Sequence, residues 1–301
     1  MSYRLEECYL DITDMKLARI RFGSIGYPFL RTMNNVSLAK SAAAPSVGSV
    51  LSAVIGIVAF VTVVFAASVT AQEITPTQIL ERVDDNMTIT TSHMTAEMTI
   101  TYRDGDERTL EFESWAVGTE LSFLEFTSPA RDAGSRFLRR DDAMWIFLPR
   151  VGKSVRIQGH MLRQGLMGSD FSYGDASENP SMVDDYDATI EREEEIDGRP
   201  AYVLYLTAKR DDLSYQQMRI WIDSERWIPL KEEMFARSGR LLKTATFGNV
   251  TRLGNRWYPL RMEMNNALQT DTRTTLTITD VEFNIDVPQE YFTVSYLESG
   301  F

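Results

Sequence analysis

The chain has 301 residues, 43 acidic against 31 basic side chains for a formal charge of −12, 44% hydrophobic content and a single cysteine, Cys8. That apolar fraction belongs to a globular chain of one or two domains and excludes fibrous and low-complexity classes. The negative charge argues against a general nucleic-acid binder, whose affinity comes from neutralising phosphates with Lys and Arg; a lone cysteine with only His93 and His160 leaves no disulfide framework, Cys-cluster zinc site or CxxC centre. No metal and no cofactor is expected.

In chain order, the first feature is hydrophobic. No charge occurs between Lys40 and Glu73, and Val50 to Val69 is almost wholly apolar. Val69-Thr70-Ala71 then offers small residues around a signal-peptidase site, so residues 1–71 read as a leader with a cleaved signal peptide, and Gln72 opens the working protein. Met33, with Lys40 as its positive charge, would start a signal peptide of ordinary organisation, which makes residues 1–32 a mis-assigned extension. The competing reading is an uncleaved inner-membrane anchor, because about 20 apolar residues span a bilayer. Either places residues 72–301 outside the cytoplasm. That part carries 25 basic and 39 acidic side chains, a charge of −14, and no cysteine.

Thr75-Pro76 followed by TQILERVDDNM supplies a capping residue, proline at the first helical position, and Ile79, Leu80, Val83 and Met87 at helical spacing. One amphipathic helix is predicted there. The pattern then changes to period two: Met94, Ala96, Met98, Ile100 and Tyr102 share one face of a half-buried strand. Asp104-Gly105 marks a hairpin turn into RTLEFESWAV, and ELSFLEFTS, SRFLRRD, AMWIFLP and SVRIQ continue the strand-like rhythm. After an irregular middle come ATIEREEEI, a turn at Asp197-Gly198, AYVLYLTAKR, YQQMRIWID, IPLKEEMFA, LLKTATFGNV, WYPLRMEMNN and TTLTITDVEF. These runs amount to some ten or eleven strands with no helix-sized crossover, which favours one antiparallel sheet or barrel in a single domain, 72–301. Leu121, Phe123, Leu124 and Phe126, like Tyr202 to Leu206, are apolar on both strand faces. Either a second layer covers the outer face or the sheet curls around an apolar interior closed by helices.

His160, Ser169 and Asp170 lie close together, but Gly168-Ser169-Asp170 lacks the G-x-S-x-G elbow and triad partners normally arrive from separate segments, so no catalytic residue is assigned. The acidic run from Asp184 to Asp197 lacks calcium-loop spacing, and its alternation fits a solvated strand face. The segment from Arg131 to Arg163 holds eight basic residues against three acidic, a charge of +5 inside a domain of −14. Arg139, Arg150, Lys153 and Arg156 within it are candidates for docking anionic headgroups or an acidic partner. Eleven methionines follow position 72, Met161, Met167, Met182, Met218, Met262 and Met264 among them, and flexible thioethers suit both ordinary cores and cavities for acyl chains.

The run Ser128-Pro129-Ala130, Gly134 to Leu138, Met144 to Pro149 and Leu166 to Tyr173, with its WIFLP and GSDFSY stretches, resembles the LolA-like outer-membrane lipoprotein-sorting family over residues 74 to 301. The resemblance implies an open, incomplete antiparallel β-barrel with an α-helical lid over a hydrophobic cavity. It also implies a non-enzymatic periplasmic carrier of lipoprotein acyl chains or other lipid, served by an inner-membrane exporter or an outer-membrane acceptor. Trp115, Phe123, Phe126, Phe137, Trp145, Phe147, Met161, Leu162, Met167, Phe171 and Tyr173 are the expected cavity residues. The more polar SYGDASEN stretch departs from the family's lid. An alternative role is a non-catalytic envelope interaction module, or exporter accessory protein, docking through the basic stripe.

Overall fold

The computed structural model describes residues 73–177, 181–269 and 271–300; the expected leader lies outside them. Helix α1, Pro76–Met87, begins as the sequence predicts: the Thr75 side chain accepts from the Gln78 backbone N–H, the Gln78 side chain accepts from Thr75 N–H, and Pro76 fills the first helical position. Its buried Ile79, Leu80 and Val83 face the sheet.

Thirteen strands follow rather than ten or eleven, because each short run in the middle segment forms a separate hairpin arm. They are β1 Thr91–Tyr102, β2 Glu107–Val117, β3 Leu121–Ser128, β4 Arg136–Arg140, β5 Ala143–Leu148, β6 Lys153–Ile157, β7 Tyr186–Ile196, β8 Arg199–Ala208, β9 Gln217–Asp223, β10 Pro229–Phe235, β11 Leu241–Leu253, β12 Arg256–Asn266 and β13 Thr272–Phe283. All paired neighbours are antiparallel, in the order β6-β5-β4-β3-β2-β1-β13-β12-β11-β10-β9-β8-β7. The pairing of β1 with β13 joins an N-terminal meander to a C-terminal one. The edges β6 and β7 do not pair, so the barrel stays open.

This order has a consequence for the lid. β6 and β7 are consecutive in the chain but lie at opposite edges of the sheet, so the connection between them must cross it. The described part of that connection contains 3₁₀ turns at Gly159–Arg163 and Leu166–Gly168 and two short helices, α2 Tyr173–Ser177 and α3 Met182–Asp185. Leu166 and Phe171 from it join α1 in one large core against the inner face, with Met98, Ile100, Leu110, Phe126, Leu204, Ile220 and Met264 from the strands.

The outer face is covered as well. After β13 the chain forms a 3₁₀ turn, Gln289–Phe292, and helix α4, Val294–Ser299, which bury Val287, Phe292 and Leu297 against Phe123 of β3 and Leu138 of β4. Both options left open by the doubly apolar strands are therefore realised: the sheet encloses an apolar interior, and part of its back carries a second layer. Arg136 fastens that layer, pairing with Glu125 at 3.1 Å and donating to the Leu297 carbonyl at 3.0 Å. Gly300 ends α4 at φ +71, where a Cβ would meet the Arg136 guanidinium, so glycine is required for both conformation and space. On the back of the C-terminal meander, Ala201, Val203 and Trp221 form a third, smaller cluster. Charged residues lie over it, with Lys231 4.3 Å and Arg192 6.0 Å from the Trp221 ring.

Candidate functional site

A cavity of about 420 Å³ lies between the lid and the inner face of the C-terminal meander. Its walls are mostly apolar: Val83 and Met87 from α1, Phe171 and Met182 from the crossing segment, and Met218, Met234, Phe247, Met262 and Met264 from β9 to β12. Alternation explains the strand contributions, since Met262 and Met264 lie two residues apart on one face of β12 and Met234 is two residues from Glu232 on β10. The volume falls within the range of about 300–1,000 Å³ usual for small-molecule sites.

Three carboxyl groups open on this apolar space, and two are fully engaged. Asp84 of α1 accepts from Ser181 Oγ at 3.1 Å and from the backbone N–H groups of Met182 and Val183 at 3.3 and 3.2 Å. It thereby ties α3 to α1 across the chain. Burial still holds the Asp84 carboxyl above its ordinary range, against those three hydrogen bonds. Asp175 of α2 accepts from Ser172 N–H at 2.6 Å, from the Tyr215 hydroxyl and from Lys243 Nζ. Lys243 is only 8% exposed, and its ammonium is neutralised by this contact. Glu232 is different. Its cross-strand neighbours are Ile220 and Ala245, and it has no hydrogen bond or ion pair among the described residues. Burial, and then the nearby charge of Asp175, push its carboxyl up to about 7. Glu232 is half-buried and lines the cavity.

The crossing segment is pinned by the same residues that made it distinctive in the sequence. Asp170 accepts from the Thr272 and Thr274 hydroxyls at 2.8 and 2.7 Å, while its N–H donates to Thr274 Oγ1 at 2.9 Å. Ser169 is buried, and its hydroxyl donates to the Phe171 carbonyl at 3.3 Å. His160 is exposed. Asp170 thus anchors the lid to β13, and Ser169 is engaged within the crossing segment rather than paired with His160. Gly165 is needed here because a Cβ would lie 2.5 Å from the Ser169 carbonyl oxygen. Arg108 of β2 completes the anchor by donating to the Met167 carbonyl at 2.9 Å and to Asp132 at 2.8 Å.

A family model described as an uncharacterized protein matches residues 118–299. The fold is shared with a DUF1329 family protein from Desulfovibrio piger, at TM-score 0.68 and 24% identity over 73% of this chain and 97% of that one. It is shared with an outer membrane lipoprotein-sorting protein domain from Vibrio parahaemolyticus, at TM-score 0.65 and 25% identity over 74% and 97%. A LolA superfamily protein from Nitrosomonas europaea aligns at TM-score 0.64 and 28% identity over 74% and 99%. The chain belongs to the family of that model, and its fold is LolA-like. No curated protein matches it.

Within this LolA-like fold the expected cavity residues separate. Phe171 lines the cavity. Phe126 and Phe137 are buried in the inner core, with Met161, Leu162, Met167 and Tyr173 packed against it, but none of these six borders the cavity. Trp115, Phe123, Trp145 and Phe147 belong to the outer cluster beneath α4, on the opposite face. Their placement corrects the expectation and has a simple cause: Trp115, Phe123, Leu138, Trp145 and Arg156 are register partners in one row across β2 to β6, whereas Leu124, Phe137, Ile146 and Val155 form a row of opposite parity.

The basic residues divide too. Arg156 lies on the outer face, 5.6 Å from the Trp145 ring, whereas Arg139 has the parity of Phe137 and is half-buried. Arg150 and Lys153 are exposed at the tip of the β5–β6 hairpin. The acidic run becomes β7, where Glu191 pairs with Arg219 at 2.7 Å and Glu194 with Arg192 at 2.6 Å. No group of three His, Cys, Asp or Glu side chains able to hold a metal occurs among the described residues.

Residues that the sequence did not single out for the site include Met87, Met234, Phe247 and Glu232. A signal existed for Glu232: period two from the buried Met234 puts it on the apolar face. Nothing local shows that this face encloses a space.

Proposed function

We propose that the protein is a carrier that buries acyl chains of a lipid or lipoprotein in the methionine-lined cavity and moves them between envelope membranes. The observation that supports this most directly is the cavity itself, apolar and roofed by the lid, in a LolA-like fold shared with a lipoprotein-sorting domain. Methionine suits such a wall because an unbranched thioether side chain repacks around chains of different shape. An acyl chain of about 14 to 16 carbons, at about 0.8 kcal/mol per buried CH₂, has a gross transfer energy near 12 kcal/mol. That is enough to hold cargo against water, so delivery requires an exporter, an acceptor or a membrane to offer a competing apolar site.

Export fits this role. The leader of residues 1–71 is cleaved before Gln72 and residues 72–301 work in the periplasm; N-terminal sequencing of envelope protein checks this, and an intact leader would replace cleavage with anchoring. Arg150, Lys153 and Arg156 on the exposed hairpin meet anionic headgroups at the donor or acceptor membrane.

Native mass spectrometry of protein purified from its own envelope should reveal retained acyl lipid. Absence of lipid, together with failure to take up a fluorescent fatty acid, would remove the carrier reading.

A further inference from the structure

Resting on the carrier reading, we propose that the cargo of this cavity is an amphiphile whose buried end bears a hydrogen-bond donor, a hydroxyl or an amine, seated on Glu232. The polar inventory of the cavity carries this assignment. Asp84 already accepts three hydrogen bonds from α3 and the residue before it. Asp175 accepts from Ser172, Tyr215 and Lys243, and this last contact commits the Lys243 ammonium. Glu232 borders the same space with its acceptor oxygens unused, between apolar Ile220 and Ala245.

Glu232 is half-buried on the cavity wall, where only water inside the cavity can solvate its oxygens, so a ligand that displaces this water must supply a donor in its place. The same groups discriminate against anions. A carboxylate or phosphate entering beside Glu232 would meet the charges of Glu232 and Asp175, with the Lys243 ammonium already committed, in surroundings where the methionine walls weaken dielectric screening. An inward-facing carboxylate therefore selects by repelling one class of head group as well as by holding the other.

The test compares three amphiphiles of equal chain length, monopalmitoylglycerol, hexadecylamine and palmitate, as competitors for a bound neutral fluorescent probe at pH 8.5, where Glu232 is ionised. The first two should displace the probe from the wild-type protein at concentrations at least about tenfold below palmitate, a difference of roughly 1.4 kcal/mol. Glu232→Leu should retain the probe and lose the preference, bringing all three within about threefold. Glu232→Gln, with nearly unchanged volume, should lose the preference for the amine while still pairing with the hydroxyl. Equal or better displacement by palmitate in the wild type, or an unchanged preference in Glu232→Leu, overturns the assignment but leaves a carrier that binds all three. If neither probe nor lipid binds the wild type or either variant, the carrier reading fails and takes the assignment with it.

Discussion

Glu232 has a cost to stability that can be measured without any ligand. Its carboxyl is pushed up to about 7 from an ordinary value of 4.5, chiefly by burial and secondarily by the charge of Asp175. Between those pH values the folded protein keeps a proton that the unfolded chain has released, so stability is lost as pH rises from about 4.5 to about 7 and changes little above. A difference of this size corresponds to about 3 kcal/mol. Glu232→Gln should therefore exceed the wild type in stability by up to about 3 kcal/mol at pH 8 and match it near pH 4, read by urea unfolding at both. An equal gain at both pH values would show that ionisation is not the cause. Asp84, Asp175, Tyr186, Tyr215 and Lys243 around the cavity are common to both proteins, so the difference isolates Glu232. Lys243 and Asp175 obey the opposite logic, since removing one partner of a buried pair strands the other. Lys243→Met should cost about 3–5 kcal/mol, and adding Asp175→Asn should recover more than about 1 kcal/mol of that; strict additivity would mean the two are not coupled.

Elements were legible where they were long enough to show a period. Each strand-like run fell on a strand, thirteen in all where ten or eleven were expected, and the capping box with the Ile79, Leu80 and Val83 stripe became α1. The Asp197-Gly198 turn followed its chemistry, both residues adopting positive φ at +50 and +74. The crossing segment was illegible because helices of five and four residues carry no periodicity, and their position is fixed by distant partners. Asp84 is the clearest of these partners, holding α3 from another helix. Asp84→Ala should raise hydrogen exchange at Met182 and Val183 by roughly 10- to 100-fold, about 1.4–2.7 kcal/mol of local opening, while β9 to β12 remain protected. Uniform loss of protection would instead mean that the lid and sheet open as one unit.

For the molecule as a whole, the open sheet separates the cavity from an exposed basic hairpin. The C-terminal meander and lid enclose the cavity, while the N-terminal meander extends to the β5–β6 hairpin, where Arg150, Lys153 and Arg156 are exposed and Val155 is 46% exposed. Replacing the three cations with Glu should abolish binding to vesicles containing anionic phosphatidylglycerol and leave uptake of a neutral fluorescent lipid within about twofold of wild type. A parallel loss of both would show that the charges support the cavity rather than a docking surface. The back of the N-terminal meander is unavailable for cargo, because α4 and its aromatic contacts, including Tyr296 against Phe123 at 5.4 Å, already cover it.

The sequence by itself determined the strands, the opening helix, the antiparallel class and the separation of charge, because these follow from periodicity, turn chemistry and composition. It also held the information that Phe123 and Phe126, three residues apart on one strand, must face opposite sides. Only the tertiary structure decided which side was inside. That choice depends on the β1–β13 pairing, the path of the β6–β7 connection across the inner face and the docking of α4 on the outer one. Each joins residues far apart in the chain, and together they make a row of methionines the wall of a cavity and leave one carboxylate among them without a donor.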